Sequence, residues 1–407
     1  MKITLITFFL SMLIYLSGLK TGEGFVYFNQ NIPDDSLHVH SAFPIKMGKV
    51  SEAYIKEKRH FIDSFYNKNI NSPFYSGGFI VVKNGRVLYE DYKGYANVKT
   101  GKKIDANTPI HLASVSKVLT ATAILRLVQQ DNIMLDQKVT DWLPQFPYKN
   151  TTIKTLLNHR SGLQHYANFS GLMKKKWNRK KMLSNQDILN LLVQNKFRLK
   201  SLHDTHFDYC NTNYIILALI IEKATGLNYR DAMQELIFKP LGMNNTLVFN
   251  YDIHRETASK SYRGNTIFPW DQFDDLYGDK NIYSTPRDLV KFDLGTYSPH
   301  FIKQELLQEA YFGYSAGHVI KPIKDYGLGM RMRFLPPVGE KMLYHNGWWH
   351  GNNTSFVTVK KDTVTVVCLG NKYSNRPYST LSMVSSLFYK KKIAIETPLP
   401  TEAEIEE

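Results

Sequence analysis

Cysteine is scarce in this 407-residue chain, which has only Cys210 and Cys368. Two cysteines make no disulfide framework, and neither stands at the spacing of a zinc-binding motif. The chain also has no internal repeat and no long low-complexity segment. Its apolar stretch at residues 3–16 is shorter than the roughly 20 residues that span a bilayer comfortably. These absences leave a globular protein of one large domain or two, and a hydrophobic content of 43% suits a buried core.

Negative charge is also in short supply, since 36 acidic residues face 51 lysines and arginines and the formal net charge is +15. The basic excess is spread along the chain, and its densest run, at residues 174–181, is typical of a solvated loop. The aromatic residues fit a hydrophobic core. We therefore expect no nucleic-acid partner and only a weak preference for anionic surroundings, such as a membrane surface or a cell wall.

A short positive start and an apolar stretch open the chain and are typical of an export signal. Met1-Lys2 precede the apolar residues 3–16, and no clean small-x-small cleavage site follows. Residues 1–22 are therefore expected to be either a signal peptide or a retained anchor that associates with the membrane. The protein is predicted to be exported, either to the periplasm or to the outer side of the inner membrane. The acidic residues 393–407 are expected to be a disordered tail.

Strand signals concentrate near the two ends of the chain. An amphipathic helix is predicted over residues 49–66 and a hairpin over residues 78–90, where Asn84-Gly85 is a strong turn signal between apolar strands. A second hairpin is predicted over residues 354–369, followed by a closing helix over residues 379–389. The two hairpins together predict one sheet that both ends of the chain build.

The middle of the chain, about residues 135–275, carries several short helix signals and few strand signals. An apolar helix is predicted over residues 211–224, where Thr225-Gly226 is a stop signal. We expect an α+β fold over residues 45–392. In it, a central antiparallel sheet is flanked by helices, and the helical region is inserted between the two halves of the sheet.

The most informative stretch is Ser114-Val115-Ser116-Lys117, which opens the apolar helix predicted up to residue 128. A serine hydroxyl is a poor nucleophile at neutral pH, and an amine one helical turn away can take its proton if burial keeps that amine partly neutral. Free N–H groups at the helix start favour the negative charge that grows on an attacked carbonyl. Taken alone, the pattern also fits a helix cap with an exposed lysine.

Two further triplets follow Ser-x-x-Lys along the chain. Tyr209-Cys210-Asn211 stands just before the apolar helix of the middle region, and His345-Asn346-Gly347 stands just before the C-terminal hairpin. Taken singly, the tyrosine fits a packed aromatic residue, the asparagine a helix cap, and the histidine a surface or satisfied core residue. Their occurrence in order with Ser-x-x-Lys favours a catalytic constellation.

This order of motifs resembles that of the penicillin-recognising serine hydrolases. They comprise class C β-lactamases, D-Ala-D-Ala carboxypeptidases, D-aminopeptidases and β-lactamase-like esterases. The similarity runs from about residue 78 to about residue 387, and further family-like segments stand at residues 156–163, 240–246, 283–289 and 326–329. The resemblance implies a β-lactamase/transpeptidase-like fold with the active site in a groove between the sheet and the helical region, and no metal or organic cofactor.

The resemblance also implies the roles of the catalytic residues. Ser114 would attack a carbonyl carbon and carry the acyl group. Lys117 would form a hydrogen-bonded cluster with Ser114 and Tyr209, and its charge would favour the phenolate form of the tyrosine. Tyr209 would take the serine proton and pass it to the leaving group, a duty that the Lys117 amine could share. The backbone N–H groups of Ser114 and Trp348 would form the oxyanion hole.

Substrate binding would fall to Asn211 and to the strand that carries His345, Gly347 and Trp348. Asn211 would orient Lys117 and the amide of the substrate. His345 stands where an efficient class C β-lactamase has a lysine, so its positive charge would be present only part of the time. This favours carboxypeptidase, D-aminopeptidase or esterase activity over β-lactamase activity. Trp348 and Trp349 indicate an aromatic pocket mouth.

The sequence therefore predicts an exported serine hydrolase that acts through an acyl-enzyme on a small peptide, amide or ester, with a cell-wall peptide as one candidate. Two alternatives stay open, a true β-lactamase and a non-catalytic protein of this fold that binds peptidoglycan-like ligands. Residues 173–199 are where substrate selection is expected. We assign a structural role to His159 and Ser161, beside the site, and expect Cys210 to be a small buried filler.

Overall fold

A computed structural model describes residues 37–169, 181–315, 324–335 and 340–390. The predicted signal or anchor, the acidic tail and all but one residue of the basic run lie outside these residues. Among the helices of the described segments, none is both long and apolar enough to cross a membrane.

The main sheet begins with the predicted hairpin. Helix α1 (Glu52–Asn69) leads into strands β1 (Gly77–Lys83) and β2 (Arg86–Lys93). The turn between the strands needs two consecutive positive φ angles, and Asn84 (51°) and Gly85 (76°) supply them. The predicted turn is therefore confirmed at both positions.

Five C-terminal strands complete this sheet. They are β10 (Lys324–Tyr326), β11 (Arg331–Leu335), β12 (Glu340–Trp349), β13 (Asn352–Val359) and β14 (Val364–Gly370). The seven strands run in the order β10-β11-β12-β13-β14-β1-β2, and every neighbouring pair is antiparallel. The sheet joins both ends of the chain where β14 pairs with β1, as the two hairpin signals predicted.

Apolar side chains cover the two faces of this sheet in two separate clusters. On one face, α1 and the closing helix α11 (Thr380–Tyr389) pack through residues such as Ile62 and Leu381. The other face packs on the helical region. A strand covered on both faces is apolar along its whole length, which explains why β1 and β14 read as continuous hydrophobic runs.

The helical region has at its centre two buried helices, α2 (Ser116–Gln129) and α6 (Asn211–Thr225). Shorter helices surround them: α3 (Val139–Trp142), α4 (Ile153–Leu157), α5 (Asn185–Asn195), α7 (Tyr229–Met233), α8 (Tyr251–His254), α9 (Pro286–Gly295) and α10 (Gln304–Ala310). Three 3₁₀ turns, at Ala113–Val115, Tyr166–Phe169 and Arg376–Ser379, and a π-helical turn at Gln234–Phe238 complete the helical elements of the described segments.

The structure adds short strands that the sequence did not predict. They are β3 (Tyr95–Asn97), β4 (Lys102–Lys103), β5 (Ile110–His111), β6 (Leu247–Val248), β7 (Tyr262–Arg263), β8 (Thr266–Ile267) and β9 (Ile282–Ser284). Strand β9 pairs with β5 on one side and with β6 on the other. This small sheet places the chain before β9 beside the start of α2, where the candidate nucleophile lies.

Candidate active site

Ser114 lies in a strained turn that precedes α2. The residue before it, Ala113, has a φ of +48°, which is unusual for a residue with a side chain. The imidazole of His111 holds this turn, because its Nδ1 accepts the Ala113 N–H at 2.9 Å and its Nε2 lies 2.8 Å from Asn281 Oδ1. Burial lowers the pKa of His111 to about 4, so the ring is neutral. Ser114 is presented by a short 3₁₀ turn, and α2 itself begins two residues later.

Lys117 is completely buried, and its amine lies against the Ser114 hydroxyl. Its Nζ donates to Ser114 Oγ at 3.1 Å and to the backbone carbonyl of Asp279 at 2.8 Å. The alternative of a cap with an exposed lysine is therefore wrong. Burial together with these two acceptors fixes the amine against the hydroxyl.

Tyr209 lies beside this pair but does not join it by a hydrogen bond. Lys117 Nζ sits 5.1 Å from the centroid of the Tyr209 ring, and the buried Tyr209 hydroxyl finds no hydrogen-bond partner within the described segments. The predicted three-member cluster is thus not formed: the Lys117 amine contacts Ser114 and Asp279, and the Tyr209 hydroxyl lies outside this pair of hydrogen bonds. A buried hydroxyl without a partner fits a role in which a substrate or water completes its hydrogen bond, which stays a prediction.

His159 positions Tyr209. Its Nδ1 accepts the backbone N–H of Cys210 at 3.1 Å, and its ring lies 4.3 Å from that of Tyr209, centroid to centroid. Ser161 contacts the first turn of α6, where its Oγ donates to Asn213 Oδ1 at 2.6 Å. These contacts fit the structural role predicted for both residues. Cys210 is buried, and burial raises the pKa of its thiol to about 11.

Asn211 is the first residue of α6 and is buried. Its Oδ1 is buried without a hydrogen-bond partner anywhere in the part of the chain that the structure describes. The structure therefore does not form the expected bond from Asn211 to Lys117. A buried acceptor of this kind fits a role in binding a substrate N–H, which stays a prediction.

His345 stands on β12 and is entirely buried. Its Nδ1 lies 2.7 Å from the Asn346 carbonyl and its Nε2 lies 3.2 Å from the Tyr326 hydroxyl. These partners assign the proton to Nδ1, because the Asn346 carbonyl can only accept a hydrogen bond. The Tyr326 hydroxyl can then donate to the unprotonated Nε2. Burial first, and then the charges of Arg331 and Lys117, lower the pKa of His345 well below its ordinary value. The part-time positive charge expected at this position is therefore absent near neutral pH.

Gly347 brings β12 against the nucleophile turn. A Cβ atom at this position would lie 2.4 Å from Thr354 Oγ1, 2.5 Å from the Leu112 carbonyl oxygen and 3.0 Å from the Ser114 nitrogen. Only glycine allows the strand to approach so closely. Trp348 follows directly on the strand, and the part of its backbone N–H in an oxyanion hole stays a prediction.

Arg331 adds a second positive charge beside the site, and sequence reasoning missed it. Its guanidinium lies 5.0 Å from the ring centroid of Tyr209 and 5.6 Å from that of Tyr326. Arg331 opens β11 and is paired with Tyr344, one residue before His345. No local sequence pattern marks it, because only the pairing of β11 with β12 brings it to the site.

A cluster of two aspartates and a histidine lies beside Trp349. Asp271, Asp274 and His350 place one potential metal ligand each within 4.8 Å of one another. The oxygens of buried Asp274 already accept from Trp349 Nε1 at 2.7 Å, from His350 Nε2 at 3.0 Å and from the Asp271 N–H. Asp274 raises the pKa of His350 despite burial. The cluster therefore holds the Trp349 side chain in place through hydrogen bonds to a buried carboxylate.

Comparison with known proteins identifies the family of the chain. Residues 73–383 match the family described as Beta-lactamase. The chain belongs to that family. Among curated proteins it is 30% identical over 344 residues to penicillin-binding protein 4* of Bacillus subtilis, which covers 79% of this chain and 74% of that protein. It is 24% identical over 312 residues to a D-aminopeptidase of Cereibacter sphaeroides, of which it spans 58% and which matches 75% of this chain.

A solved structure gives the same picture of the fold of this beta-lactamase-family protein. The penicillin-binding protein from Bacillus halodurans superimposes with a TM-score of 0.68 at 22% identity, over 81% of this chain and 99% of that one. The expected β-lactamase/transpeptidase-like fold and the resemblance to penicillin-recognising serine hydrolases are confirmed. The protein is a serine hydrolase of this superfamily.

Proposed function

We propose that the protein cleaves peptides, amides or esters of D-amino acids through an acyl-enzyme formed on Ser114. The observation that carries the proposal is the fully buried Lys117 amine at 3.1 Å from Ser114 Oγ. The likeness to a D-aminopeptidase supports the substrate class. A non-catalytic binding protein would have no need of a buried amine at a strained serine, so this alternative is disfavoured.

The chemistry follows from the positions of these groups. Ser114 Oγ forms a bond to the substrate carbonyl carbon, and its proton leaves through Lys117 or Tyr209 to the departing amine or alcohol. Negative charge on the carbonyl oxygen is stabilised by the N–H groups of Ser114 and Trp348. A water molecule then attacks the carbonyl carbon of the acyl-enzyme. Its proton passes through Lys117 or Tyr209 to Ser114 Oγ, and the acid is released.

The charge distribution favours this class over efficient β-lactamase activity. His345 is buried and neutral, so it offers no cation for the carboxylate of a β-lactam. The half-buried guanidinium of Arg331, beside Tyr209, is the cation at this end of the site. An anionic substrate group would be held there, next to the proposed proton carrier.

Intact-protein mass spectrometry tests the proposal. The purified protein is mixed separately with a penicillin, with D-alanine anilide and with its L-enantiomer, and adduct and product are followed over time. We expect Ser114-dependent turnover of the D-anilide above that of the L-anilide, and no product from Ser114→Ala. Turnover of the penicillin at a comparable rate would make the protein a β-lactamase. Acylation by none of the three would favour a binding protein.

We also propose that the protein works outside the cytoplasm. The positive start and the apolar residues 3–16 support this proposal. Fractionation of cells that express the whole chain tests it, with a variant that lacks residues 1–22 as the control. Recovery of both proteins in the cytoplasmic fraction would contradict it.

A further inference from the structure

The segment at residues 278–282 runs along the nucleophile helix and holds it at several points. Thr120 Oγ1 donates to the carbonyl of Gly278 at 2.7 Å, and Lys117 Nζ donates to the carbonyl of Asp279 at 2.8 Å. Further along, the carbonyl of Ile282 accepts the backbone N–H of Leu112 at 2.8 Å. The place of the Lys117 amine therefore depends on where this segment lies.

A buried cluster of three side chains fixes the segment in turn. Lys280 Nζ lies 2.8 Å from the Tyr166 hydroxyl and 3.4 Å from Asp279 Oδ2, and the Tyr166 hydroxyl donates to the same Asp279 oxygen at 2.9 Å. Tyr166, Asp279 and Lys280 are each no more than 2% exposed. The cluster closes into a triangle of contacts, which holds the Asp279 backbone as well as its side chain.

Lys280 also joins the two parts of the protein that form the site. Its partner Tyr166 belongs to the helical region, whereas its Nζ lies 4.5 Å from the ring centroid of Trp349 at the end of β12. Strand β12 carries Gly347 and Trp348 immediately before that ring. One buried ammonium thus contacts the helical region, the 278–282 segment and the sheet.

A buried ion pair is weak evidence for stability, because the desolvation of both charges offsets much of their attraction. The Tyr166–Asp279–Lys280 cluster therefore needs another explanation. Its geometry offers one, since the backbone carbonyl of Asp279 is an acceptor for the amine that faces Ser114. A displacement of that carbonyl would release Lys117 from Ser114.

We propose that Lys280 and Tyr166 are positioning residues for catalysis. They hold the Asp279 carbonyl in place, and this carbonyl keeps the Lys117 amine within hydrogen-bond distance of Ser114. Neither side chain touches the reacting atoms in this role. The inference rests on the proposed function, since it concerns the same acylation step.

The first test is Tyr166→Phe, which removes only the hydroxyl between Lys280 and Asp279 and keeps the ring. The acylation rate of Ser114 by an activated ester should fall about tenfold to a hundredfold, the scale of a misplaced catalytic group, while KM stays within about twofold of wild type. Lys280→Met should show the same split with a larger loss. Thermal unfolding of both variants shows whether they are folded.

A matched control is Lys360→Met. Lys360 forms another lysine–aspartate pair, with Asp293, and its Nζ lies 2.7 Å from Thr296 Oγ1, both partners belonging to α9 or its end. This substitution should lower the unfolding temperature and leave the acylation rate unchanged. An acylation rate of Tyr166→Phe within twofold of wild type, or a loss equal to that of Lys360→Met, would overturn the inference. Wild-type protein that is not acylated at all would instead refute the proposed function.

Discussion

Gly347→Ala should disable acylation because the added methyl group pushes β12 away from the nucleophile turn. The new Cβ would start 2.5 Å from the Leu112 carbonyl oxygen and 2.4 Å from Thr354 Oγ1. Normal contact needs about 3.5 Å, so the strand or the turn must shift by about 1 Å. Thr354 Oγ1 already donates to that carbonyl at 2.6 Å, which ties the two obstacles together and leaves little room for them to part.

This shift moves the Trp348 N–H away from that of Ser114. Loss of one oxyanion-hole donor costs about a hundredfold to a thousandfold in rate, whereas overpacking of this kind costs about 1–3 kcal/mol of stability. Stopped-flow measurement of acylation by an activated ester, combined with urea unfolding, separates the two effects. The control is Gly48→Ala, whose Cβ would meet only the side-chain amide of Asn84, at 3.3 Å. Acylation of Gly347→Ala within threefold of wild type would refute the close approach and the role of the strand.

Three further outcomes are expected. Tyr209→Phe should slow acylation about a hundredfold. The free energy of unfolding should stay unchanged or rise, because the lost hydroxyl is buried without a partner in the described segments. A marked loss of stability would contradict this and show that the hydroxyl has a partner. His111 is neutral when folded, with a pKa of about 4, but gains a proton when unfolded below about pH 6.5, so stability should fall as pH drops from 6.5 to 4. His111→Gln should remove about 1.4 kcal/mol per pH unit of that dependence in urea unfolding, and exposed His206→Gln should not. Arg331→Gln should raise KM for substrates with a free carboxylate and not for their neutral esters, and equal effects on both would exclude a charge contact.

Local patterns were sufficient to predict the elements that carry the site. Asn84-Gly85 predicted a turn that needs two positive φ angles, and the apolar spacing after Lys117 predicted the buried helix α2. The triplets at Tyr209 and His345 were found because they follow Ser-x-x-Lys in the order of the short motifs of the penicillin-recognising serine hydrolases. These features depend on neighbours within a few residues of one another, which a single sequence contains.

Features that depend on distant pairing could not be predicted in the same way. The neutral form of His345 depends on its burial beside Tyr326. Arg331 lies near the site only because β11 pairs with β12. The acceptor for Lys117 is a backbone carbonyl 162 residues away, at Asp279. A backbone acceptor has no side-chain signature, so no motif search would have found it.

The electrostatics of the site explain why a neutral histidine is tolerated in the third motif. The ammonium of Lys117 and the guanidinium of Arg331 both lie within about 5 Å of the Tyr209 ring, and both charges lower the pKa of His345. A third cation at residue 345 would be buried beside these two without a counter-ion, which is costly in a low-dielectric interior. Asp279 does not relieve this charge, because its carboxylate is paired with Lys280. Among the described residues, Lys117 and Arg331 thus both place positive charge beside the Tyr209 ring, and a neutral imidazole at residue 345 avoids a third buried charge there.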